Sequence, residues 1–185
     1  MASITHSYVA TGTDAGNGEV HKAEWNAGHV FTGIPYAFAQ SGTAASVGAV
    51  TTEATLATIS FAGGEIGPNG WIQVITHWTV NNNANAKNLR IRVGGSAGTI
   101  YYDYNATSVV GNARPTFIIN NNSASAQKSS MPTGNTTGFG QYTSAGPTSA
   151  VNTASAWDLV ITGQKAVSGD TLTLEGYQVL VCYGA

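Results

Sequence analysis

The stretch "GWIQVITHWTV" (70–80) decides how this chain is read. Ile72, Val74, Trp78 and Val80 fall on one parity, and Trp71, Gln73, Ile75, His77 and Thr79 on the other. A period of two, rich in β-branched and aromatic residues, marks a strand with one face on a core. The pattern continues outward in both directions. "ATLATISF" (54–61) sets Leu56, Thr58 and Ser60 against Ala57, Ile59 and Phe61. "KNLRIRVGG" (87–95) turns Leu89, Ile91 and Val93 inward and leaves Arg90 and Arg92 outward as exposed surface charge. "TIYYDYN" (99–105) groups Ile100, Tyr102 and Tyr104, and "SAWDLVITG" (155–163) groups Trp157, Leu159 and Ile161. "RPTFIINNN" (114–122) is a shorter strand, and Pro115 suits its first residue or a sheet edge because proline cannot donate to a ladder. The last run, "DTLTLEGYQVLVCYG" (170–184), changes parity at Gly176: Leu172 and Leu174 before it, Tyr177, Val179, Val181 and Tyr183 after it. A bulge there re-aims the side chains without ending the strand.

Turn signals separate these runs at "GGEIGPNG" (63–70), "NNNANAKN" (81–88), "GGSAG" (94–98) and "SGD" (168–170). Asn120 to about Ala154 reads as the longest loop, with "TTGFGQY" (136–142) its one strand-like island. Many short strands without alternating helices predict a mainly β fold, an antiparallel jelly-roll-like sandwich spanning 34–185. Ahead of it, residues 1–33 read as an extended arm broken by Gly12, Gly16 and Gly18. Within the arm, "EVHKAEWNAGH" (19–29) reads as one short helix stopped at Gly28. Two turns of helix do not persist alone in water, so this one needs a surface to dock on, with Trp25 the obvious contact.

Composition narrows the function. Charged residues make up only 9% of the 185, against about 25% in an ordinary soluble domain. Gly, Ser, Thr, Asn and Ala fill the difference, which suits β proteins that work outside cells or in large assemblies. The net charge is -2, and Lys87, Arg90 and Arg92 are too few to track a phosphate backbone, so no nucleic-acid partner is expected. No apolar run approaches the roughly 20 residues of a membrane span, and "MASITHSYVATGTD" lacks the charged and apolar regions of a signal peptide. Cys182 is the single cysteine and reads as a small buried core residue.

No catalytic constellation and no cofactor motif stands out, so a non-enzymatic protein is expected. His21, Glu24 and His29 are spaced H-x2-E-x4-H, which is not the two-histidine helix motif of zinc enzymes. "DAGNGE" (14–19) lacks the alternating oxygen ligands of a calcium loop. His77 reads as a hydrogen-bonded structural histidine. Asp103 on its tyrosine-rich strand, and Asp158 beside Trp157, are the groupings that could hold a sugar between an aromatic face and a carboxylate.

One segment carries a resemblance. "EVHKAEWNAGHVFTG" (19–33), through Ala23, Glu24, Trp25, Asn26, Ala27 and His29, resembles a stretch of structural proteins of tailed bacteriophages and related gene-transfer particles. There it precedes β-rich modules of head fibres, tail fibres and similar appendages. The resemblance implies a virion structural protein at the particle surface. Residues 1–33 would attach it to other virion proteins through Val20, Trp25, Val30 and Phe31. Residues 34–185 would face outward, and analogy with viral jelly-roll appendages implies a homotrimer. The alternative is a carbohydrate- or host-receptor-binding, lectin-like module, touching a host surface glycan through Tyr101, Asp103, Asn105, Phe139 and Tyr142. The chain departs from many such fibres in having no Gly-x-y tract.

Overall fold

The computed structural model describes residues 3–4, 29–30, 34–107, 111–130 and 145–185, with backbone alone at 3–4, 29–30 and 111–117. The strands are β1 (Ser3–Ile4), β2 (His29–Val30), β3 (Tyr36–Ser41), β4 (Ala45–Ser46), β5 (Ala54–Phe61), β6 (Trp71–Val80), β7 (Lys87–Val93), β8 (Thr99–Ala106), β9 (Gly111–Asn121), β10 (Gln127–Ser129), β11 (Thr148–Ser149), β12 (Trp157–Lys165) and β13 (Leu172–Cys182). One sheet runs β11-β10-β9-β6-β13-β3, with β4 also on β13, and the other runs β5-β12-β7-β8. Every pairing is antiparallel.

The long strands, those of six residues or more, are β3, β5, β6, β7, β8, β9, β12 and β13. Taken in chain order, the first pairs with the last, the second with the seventh, the third with the sixth and the fourth with the fifth. That is one long antiparallel ribbon rolled so that alternate pairs fall in opposite sheets. The fold is a jelly roll, the sandwich read from the alternation.

The inner faces follow the sequence parities. Ile72, Val74, Thr76, Trp78 and Val80 of β6 are buried, and so are Leu89, Ile91 and Val93 of β7 and Leu159 and Ile161 of β12. Thr76 is tolerated at a core position because its Oγ1 accepts the indole N–H of Trp78 at 2.8 Å. At the margin where β3 and β5 face each other, Phe38, Phe61 and Trp157 stack in a column, with centroids 4.3 and 4.4 Å apart, and link the two sheets. Cys182 is buried, as read from its neighbours.

Of the three breaks in strand register in the first sheet, two lie close together. β13 skips register against β6 between Leu174 and Gly176, where the parity change places a bulge. β6 skips against β9 at nearly the same level, between Ile75 and His77. Pro115 lies in that second skip, between Thr116 and Ala113, so its missing N–H removes no ladder bond there. In the second sheet, the β7–β8 hairpin closes through Gly94 and Gly95, both at φ 90, where a side chain would be strained.

One reading changes. The segment 120–154 is not all loop: β10 and β11 extend the first sheet beyond β9. "TTGFGQY" lies outside the described residues, as does the predicted helix that ends at Gly28; His29, past its stop, is described. That histidine is in β2, which pairs with β1 in the register Ser3↔Val30 and Ile4↔His29. Lys87 shares the inward parity of Leu89 and is fully buried.

Candidate functional site

Of the residues nominated for a glycan, Tyr101, Asp103 and Asn105 are described, and each is engaged within the fold. Tyr101 is fully buried, because a register skip between Ile91 and Arg92 leaves it beside Tyr102 and turns both rings in. Its hydroxyl donates to Ser149 Oγ at 2.7 Å, and burial pushes the phenol pKa up. Asp103 is committed to Arg90 Nε and Asn88 Nδ2, each at 2.9 Å. Asn105 is exposed, but its Oδ1 accepts the Lys87 backbone N–H. Asp158 accepts from Ser60 Oγ at 2.7 Å, while its neighbour Trp157 is buried in the aromatic column and offers no open face. Phe139 and Tyr142 lie outside the described residues. So do the attachment residues Val20, Trp25 and Phe31, and Val30 falls in β2.

Asp103 belongs to a larger network on the outer face of the β5-β12-β7-β8 sheet. Arg92 grips Glu53 through two parallel bonds, Nε to Oε1 at 2.6 Å and Nη2 to Oε2 at 2.7 Å. Arg90 Nη1 reaches Glu53 Oε2 at 2.8 Å and Gln164 Oε1 at 2.6 Å. Thr162 Oγ1 also donates to Glu53. The paired Arg92 bonds, with Thr162 and the charge of both arginines, hold the Glu53 carboxyl at about 2. Arg90 and Arg92 do point away from the core, but their side chains are only 14% and 16% exposed. The expectation of free surface charge is therefore corrected: two guanidiniums meet two carboxylates and their charges cancel.

The loops at one end hold two buried cations. Lys165 Nζ donates to three backbone carbonyls, of Asp170 at 2.7 Å, Ser168 at 2.9 Å and Val47 at 3.3 Å. Lys87 Nζ donates to Asn83 Oδ1 at 2.7 Å and to the Asn85 carbonyl at 2.8 Å. Asp170 Oδ1 accepts from Asn81 and Asn83, bonds that lower its pKa. A buried ammonium needs such acceptors, and here they tie the loops after β4, β6 and β12 together. The arrangement is a clamp with no open face.

A different arrangement lies beside the β13 bulge. A depression of about 590 Å³ is lined by Gln40, Ser41 and Gly42 from the end of β3, His77 from β6, and Glu175, Gly176, Tyr177 and Gln178 from β13. Gly176 pairs with His77, and Gln178 lies between Gln40 and Ile75. The bulge needs glycine: a Cβ on Gly176 would stand 2.7 Å from the Ser41 carbonyl oxygen. His77 is exposed, and no hydrogen bond among the described residues engages its ring, which corrects the reading of a structural histidine. Glu175 is likewise exposed and without a side-chain partner among the described residues. Sequence reasoning placed the bulge at Gly176 but not the hollow. Its walls come from residues 40–42, 77 and 175–178, which only strand pairing brings together. Among the described residues, no three His, Cys, Asp or Glu side chains are grouped to hold a metal ion.

No protein-family model and no curated protein matches the chain. Solved structures with a partial likeness include the infectious bursal disease virus Gx strain, at 13% identity and TM-score 0.40 over 95% of this chain. The VP2 subviral particle of the same virus matches at 10% identity and TM-score 0.38, also over 95%. The chain spans 38% and 37% of the length of those two chains.

Proposed function

We propose that this chain is a non-enzymatic structural protein of a virus particle, of the tailed-phage or gene-transfer-particle type, displayed at the particle surface. The observation that carries the reading is the strand order. The rolled ribbon of β3, β5, β6, β7, β8, β9, β12 and β13 is an architecture used by capsid and lectin domains. Two features support it. The surface charge is sparse and, on the β7 face, internally cancelled. The segment around Trp25 has the form that precedes β modules in phage appendages. In this reading residues 1–33 join the chain to other virion proteins, and residues 34–185 assemble as a trimer and face outward.

Antibody raised against the chain should label particles purified from the source culture, and the purified chain should sediment as a trimer. A chain found only in the soluble fraction, or a stable monomer, would sink the respective half of the reading. Trp25→Ala should lower co-sedimentation with particles at least tenfold while leaving the melting temperature of the β domain unchanged, because loss of a contact tryptophan costs about 2–4 kcal/mol. A lowered melt with unchanged incorporation would place Trp25 on the domain's own core instead.

A further inference from the structure

We propose that the depression beside the β13 bulge is a binding site for a neutral saccharide ring. The hollow is a built feature of the sheet. Two register skips fall at the level of His77, one against β13 and one against β9, and Gly176 keeps the floor free of a side chain. Its volume of about 590 Å³ lies within the usual range of small-molecule sites, roughly 300–1,000 Å³.

The lining suits vicinal hydroxyls. Gln40 and Gln178 each offer a planar donor and acceptor at fixed spacing, Glu175 offers two acceptor oxygens, and His77 offers a ring nitrogen of either kind. His77 and Glu175 have no side-chain partner among the described residues, and the two glutamines are only loosely engaged with each other. The approach of Gln178 Nε2 to Gln40 Oε1 is 3.5 Å, longer than a good hydrogen bond. Folded proteins spend most buried polar groups on each other, as the Glu53 network does. The polar groups of the hollow are exposed or half-buried instead, and His77 and Glu175 have no hydrogen-bond partner among the described residues, which leaves them open to an external one.

Charge selects among sugars. Glu175 is the carboxylate in the lining, and no lysine or arginine stands with it among the described residues that form the hollow. An acidic sugar would bring a second negative charge to a site with no fixed cation, so neutral rings are favoured. The hollow would serve a free lectin as well as a particle protein, so its occupancy is independent of the particle reading.

The test uses the intact chain, titrated by NMR with methyl α-D-glucopyranoside, methyl α-D-galactopyranoside, methyl α-D-mannopyranoside and N-acetylglucosamine, with glucuronate as the acidic control. At least one neutral probe should shift the His77 ring resonances with a Kd on the order of millimolar, the strength expected for about a dozen heavy atoms. Glucuronate should bind at least tenfold more weakly. Glu175→Ala and Gln178→Ala should each weaken the neutral probe about tenfold, with the melting temperature unchanged. Absence of any His77 shift with all four neutral probes overturns the proposal. So does binding that survives unchanged in both variants, or glucuronate binding as tightly as its neutral counterpart.

Discussion

The outer face of the β5-β12-β7-β8 sheet and the outer face around β3, β13 and β6 are both polar, and they spend their polar groups in opposite ways. On the first, Glu53 takes bonds from Arg90, Arg92 and Thr162, and Asp103 takes bonds from Arg90 and Asn88. On the second, His77 and Glu175 stand exposed over a hollow, with no hydrogen-bond partner among the described residues. Residue type does not separate the two cases, because each has carboxylates and amides. What separates them is strand register. On β7, Arg90 and Arg92 alternate with core residues and stand opposite Thr162 and Val160 of β12, with Asp103 of β8 beside Arg90. On β13, the bulge at Gly176 breaks the alternation and lowers the floor just where the polar side chains converge.

The comparison breaks most clearly at Glu53. Glu53→Ala leaves two half-buried guanidiniums without their shared acceptor and should lower stability by about 3 kcal/mol, measured by denaturant unfolding. A change below about 0.5 kcal/mol would mean that the network is ordinary surface. Arg90→Ser removes bonds to Glu53, Asp103 and Gln164 but leaves the Arg92 pair intact, so the loss should be smaller, about 2 kcal/mol.

Acid should reveal the same network. Glu53 ionises near 4.5 in the unfolded chain and at about 2 in the folded one. A depressed carboxyl contributes stability in full above its unfolded value and loses it as pH falls toward its folded value. The melting temperature should therefore fall more steeply between pH 4.5 and about 2 in the wild type than in Glu53→Gln, which has no proton to take up there. Parallel curves would assign the acid sensitivity to other groups, such as Asp170. The smallest effect belongs to the second face. Glu175→Ala should change stability by less than about 0.5 kcal/mol, because no partner among the described residues loses a bond. A larger loss would show that Glu175 is structural, and would remove the contrast between the two faces.

Much of the sandwich was legible because alternation and burial are local. The parity of Ile72, Val74, Trp78 and Val80 survives into the fold, as does that of Leu89, Ile91 and Val93. So does the switch at Gly176, since glycine between two opposite parities leaves few options besides a bulge. Tyr101 was misread because the strict alternation of "TIYYDYN" hides a skip that exists only opposite β7. β10 and β11 were missed because strands of three and two residues carry no period, and are held by β9 and by each other.

The sequence by itself determined the class of fold, the core-facing residues of β6, β7 and β12 and the point at which β13 changes face. These follow from side-chain direction along a single strand, which needs no partner. Tertiary structure alone decided that Arg90 and Arg92 are consumed by Glu53 and Asp103, that Lys87 and Lys165 are buried clamps, and that His77 shares a hollow with Glu175 and Gln40. Those outcomes depend on which strands lie side by side and in what register, and residues as far apart as Gln40 and Gln178 acquire a common chemistry only after the ribbon has rolled.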